Sequence, residues 1–105
     1  MTNYMFAYHG GDQPESPEEG AKHMTNWKKW VADLGDAMVT PEVPLGMSKT
    51  VSSSGVADDG GANPILGYTV IAAESMDAAL KIAQACPFLA MNGTIEVAEV
   101  RQMPG

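Results

Sequence analysis

Residues 67–101 read GYTVIAAESMDAALKIAQACP and then, past a short joint, GTIEVAEVR: a strand, a capped helix, a proline stop and a second strand in direct succession. Tyr68, Val70 and Ala72 alternate with Thr69, Ile71 and Ala73, the period of two of a strand that is apolar on both faces. The period changes at Ser75, whose hydroxyl can accept the first free amides of a helix. Asp77 suits the positive helix start, and Ala78, Ala79, Leu80, Ile82 and Ala83 continue at helical spacing. Pro87, directly after Cys86, stops the helix, because its ring removes an amide donor and crowds the preceding turn. This unit constrains the fold closely and the chemistry hardly at all.

The first third repeats the pattern. Tyr4, Phe6 and Tyr8 alternate with Met5, Ala7 and His9 in a second two-sided apolar strand, ended by Gly10-Gly11-Asp12. Ser16 as cap, Pro17 at the first helical position and Glu19 three residues after the serine form a capping box. Ala21, Met24, Trp27, Val31 and Leu34 then share one stripe with Trp30 at its edge, and Gly35 fits a left-handed stop. From Asp36 to Pro64, prolines, glycines and the run Ser52-Ser53-Ser54-Gly55 exclude long regular elements. Residues 49–52 and 56–57 predict a short hairpin, taken as the second strand together with a mobile or edge hairpin.

The resulting order, βαββαβ, predicts a single α+β domain of ferredoxin-like type over residues 1–105, an antiparallel sheet with both helices on one face. The other face is then bare. Two strands that are apolar on both sides would expose a patch that a soluble monomer seldom tolerates, so the expectation is a homodimer packed through the open sheet face. The alternative is that the middle segment folds back over it.

Charge narrows the partners. Thirteen acidic against six basic residues give a net charge of −7, the wrong sign for neutralising phosphates, so nucleic acid is not an expected partner. No run approaches the roughly 18 apolar residues that span a bilayer, and the first residues lack a basic flank before an apolar segment. A cytoplasmic protein is expected. One cysteine and two histidines make no conventional structural zinc site, no phosphate-binding glycine spacing is present, and no cofactor is implied.

Few residues are left to carry chemistry. His23, four residues before Trp27, lies at the border of the apolar stripe, where it would serve as general acid or base at the rim of a cleft or simply pack on the tryptophan. Cys86 is a nucleophile paired with His23 or a small buried hydrophobe; a helix end does not lower a thiol pKa. His9 and Asp12 flank a glycine turn of the kind that presents side chains to a ligand, and Trp27, Trp30 and Tyr68 are candidates to line an apolar pocket or to build core and interface.

Taken together, NYMFAYHGGD, SPEEGAKHMTNWKKWVADLG, PLGMSKTV, GYTVIAAESMDAALKIAQACP and GTIEVAEV resemble YCII-related proteins of the DGPF branch, within the dimeric α+β barrel superfamily, over nearly the whole chain. The resemblance implies a homodimer with sheets face to face and a cleft between helices and sheet. It also implies an acid/base dyad of a helix-one histidine, here His23, and an aspartate shortly before the proline that follows helix two, a position held here by Cys86. The Asp-Gly-Pro-Phe motif is replaced by Asp59-Gly60-Gly61-Ala62. Superfamily relatives act on small cyclic or aromatic compounds, which implies a small-molecule ligand.

Overall fold

A computed structural model describes residues 1–102. Strand β1 (Thr2–Gly10) leads into helix α1 (Pro17–Leu34) and strand β2 (Met38–Pro44). A hairpin of β3 (Thr50–Ser52) and β4 (Gly55–Ala57) follows, then strand β5 (Ile65–Ala73), helix α2 (Met76–Gln84), a 3-10 turn (Pro87–Met91) and strand β6 (Gly93–Glu99). The main sheet has the order β2-β5-β1-β6 and is antiparallel at each pairing, which is the ferredoxin-like arrangement.

Both helices start as their sequences dictate. Ser16 accepts the amide of Glu19, and Ser75 that of Ala78, each at 3.1 Å. Glu19 returns its carboxylate to the amide of Glu15, one residue further back than a strict capping box would place it. Gly35 closes α1 with φ of 54°, a backbone state that costs little only without a Cβ.

The second strand of the main sheet departs from expectation. It is Met38–Pro44, in the segment whose prolines argue for irregular structure, while the predicted hairpin forms a separate two-stranded sheet. Pro41 and Pro44 are tolerated because β2 is an edge strand that needs partners on one side only. Its pairing with β5 is irregular: Thr40 faces Val70 and Val43 faces Tyr68, so Pro41 and Glu42 together oppose the single residue Thr69.

The core lies between helices and sheet. Tyr4, Phe6 and Tyr8 from β1 and Ile71 and Ala73 from β5 meet Trp27 and Trp30 of α1 and Ala79 and Ala83 of α2. The Trp30 indole NH donates to the Ile82 carbonyl at 3.2 Å and so ties one helix to the other. On the opposite face Met5, Tyr68, Val70 and Ala72 stay half-buried. The middle segment covers only one end of that face, where Asn63 and Pro64 approach His9. The hairpin is exposed along its length, with Val51 76 % and Val56 65 % accessible, and contributes to a radius of gyration of 15.3 Å. A compact chain of this length would have about 13 Å.

Candidate functional site

The bulge in β2 decides which groups meet. Thr40 and Val43 lie across from Val70 and Tyr68, residues of the open face, so the doubled step between them falls at the level of Thr69, which points to the helices and is fully buried. Glu42 is thereby brought to the helix-bearing side at the sheet edge. Beside it, the Tyr8 hydroxyl donates to Thr69 Oγ1 at 2.7 Å. Cys86, at the end of α2, completes this buried floor: Tyr8, Thr69 and Cys86 are 2 %, 0 % and 3 % exposed.

Aromatic rings surround the floor. Tyr8 packs edge-on against Trp27 with ring centres 5.6 Å apart, and against Phe88 at 5.0 Å. Phe88 sits in a slot that glycines leave open: a Cβ on Gly93 would come within 2.2 Å of its ring, and one on Gly11 within 3.1 Å. His23 lies at the rim, 5.7 Å from the Trp27 ring, and borders a surface hollow of about 370 Å³ between α1 and the Pro87–Met91 turn, shared with Asn26, Trp30 and Asp33.

The electrostatics follow from burial. Burial pushes the Cys86 thiol up to about 11, against an amide bond from Phe88 that pulls the other way, and the nearby Glu42 raises it further. Burial likewise raises the Tyr8 phenol well above its ordinary value, partly offset by the bond to Thr69. Both groups are therefore neutral at physiological pH, and Cys86 lacks the thiolate character of a nucleophile. The Glu42 carboxyl is raised by partial burial and drawn back by His23.

The predicted site residues divide by face. Trp27 and Cys86 adjoin Tyr8, and His23 reaches it only through Trp27, on which it packs; Trp30 is next along α1, where it packs on Trp27 at 5.6 Å and on Phe6 at 6.3 Å. His9 and Tyr68 lie on the other side of the sheet. His9 Nδ1 faces the Asn63 and Pro64 carbonyls at 3.1 and 3.2 Å, and its Nε2 faces Glu96 at 3.1 Å. Asp12 accepts the Asn92 side-chain amide at 2.6 Å and braces the turn into β6. Tyr8, Thr69 and Glu42 belong to the cluster although sequence reasoning did not single them out for chemistry. Tyr8 and Thr69 read as ordinary strand positions, and Glu42 is hidden between two prolines, its one signal being a lone carboxylate in an otherwise uncharged strand. Among the described residues, no three histidine, cysteine or carboxylate side chains gather closely enough to hold a metal ion.

The fold and the placement of this cluster under α1 define an α+β protein of ferredoxin-like type. The chain belongs to the YCII-related family, whose domain model matches residues 4–104. Among solved structures it is similar to the 5-chloro-2-hydroxyhydroquinone dehydrochlorinase TftG from Burkholderia phenoliruptrix AC1100, in complex with 2,5-dihydroxybenzoquinone. The TM-score is 0.53 and the identity 16 %, over 96 % of this chain and 95 % of that one. At that identity the likeness carries the fold alone. No curated protein matches the sequence.

Proposed function

We propose that this YCII-related chain forms a homodimer through its open sheet face and takes up a small apolar or cyclic metabolite beside His23, as a cofactor-free enzyme or a binder. One observation carries the ligand reading: an imidazole at the rim, packed on the Trp27 ring, and the Trp30 ring border one hollow of about 370 Å³ between α1 and the Pro87–Met91 turn, where Asn26, Lys29 and Asp33 add polar groups. Rings supply apolar contact at little entropic cost, and a few convergent polar groups orient what binds. Acid–base work would fall to His23, since Tyr8 and Cys86 hold their protons. The fold likeness to a protein bound to a dihydroxybenzoquinone supports a ring-shaped ligand by analogy only.

Titration of the 15N-labelled protein with a library of small phenols and quinones is expected to shift the indole NH of Trp27 with affinities near the millimolar range typical of fragments. In His23→Ala those shifts weaken severalfold. Unchanged binding in the variant would remove His23 from the site.

A second reading, a ligand-sensing domain without turnover, is favoured by the same neutral floor, which offers neither thiolate nor phenolate. Binding without any chemical change in the bound compound, followed by mass spectrometry, would decide for it.

The dimer reading rests on the half-buried apolar face of Met5, Tyr68, Val70 and Ala72 and on the exposed hairpin. A two-stranded hairpin is marginal in water by itself, and contact with a partner chain would support it. Light scattering on a sizing column is expected to give twice the 11.1 kDa chain mass, and a monomer at micromolar concentration would end this proposal.

A further inference from the structure

We infer that the outer edge of β6 pairs with β6 of a second copy, antiparallel about a two-fold axis at Val97, so that two sheets join into one. This contact is separate from the open-face pairing proposed above and does not depend on it.

The backbone of β6 is set for a further strand. It is the last strand of the sheet, and its pairing with β1 runs from Gly10↔Gly93 to Tyr4↔Glu99 without a bulge. The Val100 amide donates to the Asn3 carbonyl at 2.9 Å, and in an antiparallel pair the bonded residues alternate. Thr94, Glu96 and Ala98 therefore turn their backbone groups toward β1, while Ile95, Val97 and Glu99 turn theirs outward. β6 contains no proline, unlike β2 at the opposite edge. Beside the outward row lies an apolar hollow of about 220 Å³ between α2 and the sheet, lined by Leu80, Ala83, Gln84, Leu89, Ile95 and Val97. Backbone groups and apolar surface thus lie free along the same strand.

Charge and register select a copy of the same chain. Two β6 strands centred on Glu96 would match end to end, but they would set Glu96 directly opposite its counterpart, which is destabilising. Centring on Ile95 would carry Glu99 against the Pro87–Met91 turn of the other copy. Centring on Val97 pairs residues 95–99 of each strand: Val97 meets Val97, Ile95 meets Glu99 and Glu96 meets Ala98. Each carboxylate then faces an uncharged residue, despite a net charge of −7 per chain. The outward groups of Ile95, Val97 and Glu99 bond one another, and the two apolar hollows meet across the axis. A contact of so few residues lies at the small, transient end of protein interfaces, so it forms toward millimolar concentration and adds to whatever species exists at micromolar.

Light scattering and sedimentation from micromolar to millimolar protein test this. The mass of wild type is expected to rise with concentration. Val97→Pro removes an amide that points outward and spares the bonds to β1, and it should weaken the association by roughly tenfold or more. Denaturation midpoints check that this variant still folds. A gentler test reads the register: Glu96→Cys mixed with Ala98→Cys should crosslink on mild oxidation severalfold faster than either variant alone, because those positions form a close, non-bonded pair across the axis and native Cys86 is buried. A mass that stays flat, or an equal rise in folded Val97→Pro, overturns the inference; so does crosslinking that is as fast within either single variant, which would put the strands in another register. The species present at micromolar concentration decides the open-face dimer separately.

Discussion

Replacing Trp30 with alanine is expected to cost about 3 to 5 kcal/mol of folding stability, the range for deleting a large buried aromatic, out of a total of about 5 to 15 kcal/mol for a domain of this kind. Trp30 is 7 % exposed and lies between Phe6 at the sheet centre and Trp27 one turn earlier in its own helix. Its NH also fixes the distance between the helices through the Ile82 carbonyl. Trp30→Phe separates these contributions. It keeps most of the apolar contact and loses the bond, and because Ile82 still accepts the Ala85 amide at 3.2 Å, no carbonyl is orphaned. The cost of the bond alone should then be about 1 kcal/mol. Urea titrations of the three proteins read both numbers. A loss below about 1 kcal/mol for Trp30→Ala would mean that this indole belongs to the hollow beside it and not to the core.

Alkaline pH is expected to unfold the protein earlier than its composition suggests. Cys86 keeps its proton in the fold up to about 11 against an ordinary 9.0. The sign follows directly: between those values the unfolded chain has released a proton that the folded chain still binds, so stability falls as pH rises. The stabilisation is fully present below pH 9 and lost by the time pH passes the folded value. Two units amount to about 2 to 3 kcal/mol. Tyr8, also raised, extends the decline beyond pH 10. Denaturation midpoints from pH 7 to pH 11 should slope downward above pH 9, with the part between pH 9 and pH 10 flattened in Cys86→Ala and the part above pH 10 made shallower. A flat wild-type profile would mean that water reaches the thiol in the folded protein.

Much of the fold was legible because its signals are local. Ser16, Ser75, Pro87 and Gly35 state helix limits in single residues, and the alternation in β1 and β5 needs no partner to be recognised. Strand β2 escaped for the opposite reason. Pro41 and Pro44 argue against a strand at an interior position, and only the sheet order, a property of the whole chain, reveals that the position is an edge. The site was legible in proportion. His23 and Cys86 are chemically conspicuous residues, whereas Tyr8 and Thr69 acquire their roles from lying diagonally across β1 and β5, and Glu42 from a register slip that no residue pattern announces. His9 is the converse case: a conspicuous residue whose partners, Glu96 and the Asn63 and Pro64 carbonyls, are distant in sequence and lie on the other face.

The prolines of β2 carry a further consequence for how copies of the molecule can meet. An exposed strand edge is a template on which a neighbouring chain can continue the sheet, and such growth has no natural end. Two of the seven residues of β2 have no amide hydrogen to offer, and the bulge between them bends the edge out of line. A strand arriving from outside would find an interrupted ladder. On this side the sheet is closed to open-ended, amyloid-like extension.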